Sequence, residues 1–155
     1  MSEIWDVSPA PETSSRHNSI LHVSPHAEHV AGFRDILNHR QWSVTHCSDT
    51  SSAVLAIEKK SLSVVVTESH LPDGSWRSIL EACQRQHQAP LVLVTCRHAD
   101  ESLWAEVLNL GGFDVLLEPF DRTEVPRVVG MALRSWSALF GDRLNSQENT
   151  KSQFA

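Results

Sequence analysis

Residues 64–76 read VVVTESHLPDGSW, and the interpretation of this stretch decides the fold. Three valines and a threonine in a row suit a strand that is buried, because no polar residue alternates with them. Glu68 follows immediately, and Pro72-Asp73-Gly74 then turns the chain. Ser75 is placed to cap a helix whose inner side carries Ile79, Leu80 and Cys83. A buried strand that delivers a carboxylate to its own end, and then feeds a helix, raises the question of chemistry at that end.

The same unit recurs along the chain. Short apolar runs at 19–23 (SILHV), 43–47 (SVTHC), 62–67 (LSVVVT), 91–95 (LVLVT) and 115–117 (VLL) are the strand candidates. Each precedes a helix-length segment. The first helix, near 27–39, places Val30, Phe33 and Ile36 with Leu37 on one side. The second, from about 51 to 59, follows Asp49 or Thr50 as cap and turns Val54, Leu55 and Ile57 inward. Asp100 caps a fourth that stops at Gly111-Gly112, and a fifth runs from 121–123 to about 143, with Pro126 tolerated near its first turn. Parallel strands need right-handed crossovers, so five such units predict a doubly wound α/β fold. It is a five-stranded parallel sheet with helices on both faces.

Composition sets the outer limits. A chain of 155 residues with 41% hydrophobic and 21% charged residues can bury a real core as one domain. A formal charge of −6 argues against nucleic acid or an anionic membrane as the main partner. Cys47, Cys83 and Cys96 are too few and too scattered for a disulfide framework or a CxxC metal site, which fits a cytoplasmic location. No run approaches the roughly 18 apolar residues of a membrane span. Residues 1–17, rich in serine and proline, are expected to form a flexible extension; 18–143 form the domain, and 144–155 a polar tail.

In this fold, ligands sit at the carboxyl ends of the strands. The strands deliver Ser24-Pro25-His26, Glu68-Ser69-His70, Thr95-Cys96-Arg97-His98 and Glu118-Pro119-Phe120 to that edge. The order SILHVSP, VVVTESHLPDG, APLVLVTC and GGFDVLLEPF resembles the receiver domain of two-component response regulators, over about residues 18–140. The resemblance implies self-phosphorylation at an aspartate closing strand three. It also implies Mg²⁺ held by that aspartate and an acidic pair after strand one, a lysine after strand five, and a hydroxyl closing strand four. Carried over position by position, the nucleophile place falls on Glu68, the acidic pair on Ser24 and Pro25, the lysine on Glu118, the hydroxyl on Thr95 and the aromatic switch residue on Val115. Only Thr95 matches.

The expectation is therefore a degenerate phosphorylation pocket: no catalysis, with Mg²⁺ binding lost or weak. Glu68 is expected to accept a hydrogen bond from Thr95, or to stand as a partly solvated acid at the strand end. If Glu68 and Glu118 meet, their repulsion must be relieved by solvent, protonation, Arg97, a histidine or a metal. His26, His70 and His98 reach the same edge and are the positions a metal would use, but the expectation is solvated loop histidines and no metal site; the spacing of His22, His26 and His29 is unconvincing because His22 lies on a strand. The resemblance points to the fourth helix, fifth strand and fifth helix as the contact surface for a signalling partner or a second copy. Trp104, Leu108, Met131 and Leu133 are its candidate residues. The expected function is a stand-alone interaction module, independent of phosphorylation and without a DNA-binding output domain. The alternative is an unusual phosphoacceptor or metal-dependent switch built on Glu68 and Thr95.

Overall fold

A computed structural model describes residues 18–153 except 39 and 99, with side chains as far as residue 141. The expected N-terminal extension, 1–17, lies outside the described residues. Five strands form one sheet: β1 (Ser19–Val23), β2 (Ser43–Cys47), β3 (Val64–Glu68), β4 (Leu91–Cys96) and β5 (Asp114–Leu117). They lie in the order β2-β1-β3-β4-β5, and every pairing is parallel. Between them run α1 (Ala27–Leu37), α2 (Thr50–Lys59), α3 (Trp76–Gln84), α4 (Glu101–Asn109) and α5 (Glu124–Gln153). The doubly wound expectation holds.

Alternation along the strands builds two cores. Leu21, Val23, Val65, Val92 and Val94 face one way and pack against Ala53 and Ile57 of α2, Ile79 and Cys83 of α3 and Val107 of α4. Ile20, Val64, Val66, Leu93 and Leu116 face the other way, onto Phe33 and Leu37 of α1 and Val125, Val129 and Ala132 of α5. Strand order reverses between β1 and β3, so the crevice for a ligand opens at the ends of those two strands.

The PDG turn has a structural task. Asp73 Oδ1 accepts from the Thr50 backbone N–H at 2.7 Å, and Oδ2 from the Ser51 N–H at 3.1 Å and the Ser51 hydroxyl at 2.9 Å. Those bonds, the Thr50 N–H first, pull the Asp73 carboxyl down to about 2. Helix α2 is thus capped twice, since its own Asp49 accepts from the Ser52 N–H at 2.8 Å. Gly74 permits this approach: a Cβ there would lie 2.8 Å from Thr50 Oγ1. A two-residue hairpin, His70–Leu71 with Gly74–Ser75, tightens the same loop. Gly111, at φ 105°, ends α4 as expected.

Three expectations are corrected. Leu55 is exposed, because Ala53 and Ile57 take the inward positions of α2 and leave Leu55 on the opposite side. Leu133 is buried at 4%, since it lies four residues after Val129 and three before Trp136 on the stripe facing the sheet, so it belongs to the core and not to a contact surface. Helix α5 continues to Gln153 instead of stopping near residue 143, because 144–153 contain neither glycine nor proline to end it. No helix among the described residues is long and apolar enough to cross a membrane.

Candidate functional site

Strand parity brings the site together. Glu68, Thr95 and Glu118 each lie two residues beyond a core residue, Val66, Leu93 and Leu116, that faces α1 and α5. All three therefore turn to the same side at the carboxyl edge. Glu68 and Thr95 are register partners on β3 and β4, and the Glu118 N–H donates to the Cys96 carbonyl at 2.8 Å. The Glu118–Pro119 peptide is cis. Helix α1 begins directly above this edge, with His26 as its N-cap residue and His29 in its first turn.

His29 joins the two acids. Its Nδ1 lies 3.1 Å from Glu68 Oε2 and 3.4 Å from Glu118 Oε2. Ser24 Oγ donates to the same Glu68 oxygen, and in turn accepts from the His26 backbone N–H at 3.1 Å. The Ser24 carbonyl is 2.9 Å from His46 Nε2, which ties β1 to β2. His26 Nε2 stands further off, 3.7 Å from Glu68 Oε1, and Arg97 Nε is 3.9 Å from Glu118 Oε2. Glu68 is 8% exposed and Glu118 7%, so Glu68 is a buried acid and not the partly solvated one expected from its place at a strand end. Two like charges out of water demand a shared partner, and His29 fills that place.

The expected bond from Thr95 to Glu68 is absent among the described residues. Thr95 Oγ1 is buried without a hydrogen-bond partner, because Ser24 and His29 hold the Glu68 carboxylate toward α1. A cleft of about 340 Å³ opens there, lined in part by Glu68, Thr95, Arg97 and Glu118. Pro25 and Val115 are half-buried and do not line this cleft; Val115 packs on the α2–α4 core.

Of the three histidines expected to be solvated loop residues at this edge, none enters the central cluster. His70 turns to Ser69 Oγ at 3.1 Å, His98 is exposed, and His26 stays at the rim. The group able to hold an ion is His29 with Glu68 and Glu118, whose ligand atoms all lie within 4.8 Å of one another. The signal for His29 was available: the first turn after a strand hangs over the carboxyl edge, and His29 is three residues past the cap. His22, discounted for lying on the strand, supplies no ligand atom to the cluster and is buried beneath it. It stacks on Phe33 at 4.3 Å between centroids, and burial drives its pKa down to about 3. Thiol chemistry is disfavoured as well, since burial pushes Cys83 up to about 12 and raises Cys96.

Comparison with known proteins agrees with this geometry. The family model of the response regulator receiver domain matches residues 20–129. The chain is 33% identical over 90 residues to the probable transcriptional regulatory protein TcrX of Mycobacterium tuberculosis, covering 57% of this chain and 38% of that one. It is 29% identical over 100 residues to the regulatory protein VanRc of Enterococcus gallinarum, covering 64% and 43%. It therefore spans about two fifths of the length of these curated relatives. Among solved structures, the receiver domain of a putative Luxo repressor protein from Vibrio parahaemolyticus superposes with a TM-score of 0.74 at 16% identity, covering 78% of this chain and 93% of that one. The chemotaxis response regulator CheY4 of Vibrio cholerae does so at 0.67 and 15%, covering 74% and 97%. With the family model spanning most of the sheet and its helices, the chain belongs to the response regulator receiver domain family.

Proposed function

We propose that this receiver is a phosphorylation-independent interaction module. The observation that carries the reading is Glu118, a buried carboxylate where the resemblance places a lysine, sharing one histidine with Glu68. A phosphoryl group brings close to two negative charges, and each like-charge pair at about 4 Å costs on the order of 4 kcal/mol at an effective dielectric of about 20. Glu118 would add to that cost where a lysine would remove it. Glu68 is also one methylene longer than aspartate, and both its oxygens already face side chains, Oε2 those of Ser24 and His29 and Oε1 that of His26.

The Mg²⁺ ion that the family implies does not fit these residues. Mg²⁺ requires near-octahedral oxygen ligands, of which one or two are carboxylates, and it keeps several waters. Ser24 offers a hydroxyl already given to Glu68, Pro25 offers none, and an imidazole nitrogen occupies the space beside Glu68. No phosphoryl-transfer step is assigned to this pocket, and the module is not an enzyme in this reading.

Receiver domains act on partner proteins or effector domains. Here the proposed surface is α4, β5 and α5, where Trp104 is 50% exposed and Leu108, Leu117 and Met131 also reach solvent. Trp104 Nε1 donates to Asp114 Oδ1 at 3.3 Å, which lays the indole toward β5. An anchored, half-exposed tryptophan beside exposed leucines fits a protein partner in the cytoplasm better than a nucleic-acid one. The test is self-association by sedimentation, together with partner capture, with and without a small-molecule phosphodonor. The reading expects Trp104→Ala to weaken association about tenfold, as for a hot-spot residue, and the phosphodonor to change nothing. Association that appears only after phosphodonor treatment sinks it.

A further inference from the structure

We infer that the strand-end cluster is a binding site for a divalent transition-metal ion of the zinc class, held by His29 Nδ1 and by the Glu68 and Glu118 carboxylates. The site shares Glu68 with the oxygen-only Mg²⁺ site that the resemblance implies, but its other ligands differ: a nitrogen from His29 of α1 and a second carboxylate, Glu118, just after β5.

Geometry argues first. Zinc binds histidine nitrogen and carboxylate oxygen at about 2.0–2.2 Å in a tetrahedron, so neighbouring ligand atoms stand about 3.4 Å apart. The separations from His29 Nδ1 are 3.1 Å to Glu68 Oε2 and 3.4 Å to Glu118 Oε2, and the carboxylate oxygens fall within the same 4.8 Å group. The two separations from His29 thus come close to tetrahedral edges before any ion is added. Mixed imidazole and carboxylate donors select zinc and its neighbours over magnesium and calcium.

Charge argues second. Two acids, each less than a tenth exposed, face one imidazole, which can supply at most a single positive charge. A dication at the centre neutralises both.

Thr95 supplies the independent observation. Its hydroxyl is 1% exposed and has no partner among the described residues, and it lines the cleft that Glu68 and Glu118 also line. With three protein ligands, the fourth position of the ion would open toward this cleft, where a bound water or a ligand oxygen could accept from Thr95. Support behind the ligands is also built in. Ser24 Oγ donates to Glu68 and is itself held by the His26 N–H, the kind of outer contact that fixes a metal-bound carboxylate. An ion here would bolt the first turn of α1 to the ends of β3 and β5.

The experiment is isothermal titration of the chelator-stripped full chain with Zn²⁺, and separately with Mg²⁺. One equivalent of Zn²⁺ is expected to bind with micromolar or tighter affinity, and Mg²⁺ at least about a hundredfold more weakly. His29→Ala and Glu118→Gln should each lower Zn²⁺ affinity by about tenfold or more at unchanged circular dichroism, with His98→Ala as a silent control. If His29→Ala does not fold, His29→Gln serves in its place. Zn²⁺ affinity that survives both the His29 and Glu118 substitutions, or Mg²⁺ bound as well as Zn²⁺, overturns the inference. The proposed independence from phosphorylation stands or falls separately, because a zinc titration reads neither phosphoryl gain nor partner affinity.

Discussion

The carboxyl edge of the sheet and the α4–β5–α5 face invert each other. At the edge, Glu68, Glu118, Thr95 and Ser24 are polar and out of water; on the face, Trp104, Leu108, Leu117 and Met131 are apolar and in it. A buried charge must be matched wherever it sits, so Ser24, His29 and the two acids hold one another in place. An exposed apolar side chain costs folding little and is free to serve recognition. Substitutions at the edge should therefore move stability and ion binding, and substitutions on the face should move association.

The largest expected effect belongs to a buried polar group just below the edge. Burial lowers His22 from 6.5 to about 3, with His46 adding to it. The unfolded chain therefore takes up a proton below pH 6.5 that the folded chain refuses until about pH 3. Stability is complete above pH 6.5 and falls as pH drops through that window, at up to about 1.4 kcal/mol per pH unit. Urea unfolding at pH 7 and pH 5 should show a loss of about 2 kcal/mol that His22→Phe, stacked on Phe33 in its place, removes. A slope identical in both proteins contradicts the assignment.

Next comes the shared imidazole. His29→Ala leaves two buried carboxylates facing each other and should cost on the order of 2 kcal/mol in urea unfolding. The same substitution in a Glu118→Gln background should cost clearly less, since one of the like charges is gone. Equal costs in both backgrounds would show that His29 is packing and not pairing.

On the face the order of effects reverses. Trp104→Ala should change stability by less than about 1 kcal/mol while weakening association about tenfold, and denaturation curves beside sedimentation profiles separate the two. Smallest of all is the exposed pair between Arg122 and Asp35, both more than half exposed. Arg122→Ala should shift unfolding by less than about 0.5 kcal/mol. A larger shift would mean that surface charge, and not the buried edge alone, carries electrostatic stability.

The fold was legible because its signals are periodic. Valine runs in β3 and β4 and the caps at Asp49, Ser75 and Asp100 located the elements within a few residues. Glu68, Thr95 and Glu118 were legible as a set, since strand ends converge in a doubly wound sheet. What did not show was pairing. That Ser24 and His29, and not Thr95, hold Glu68 depends on how α1 is laid over β1 and β3, which periodicity does not encode. Leu133 and Leu55 failed for a related reason: an apolar residue on a helix does not declare which side it takes when neighbours at three and four residues compete for the core.

Whether the edge has exchanged chemistry for fixed charge is decided most directly by intact mass after incubation with a small-molecule phosphodonor and Mg²⁺. The wild-type chain should keep its mass unchanged. A stoichiometric gain of one phosphoryl group, lost in Glu68→Gln, would mean that the edge still performs phosphoryl chemistry.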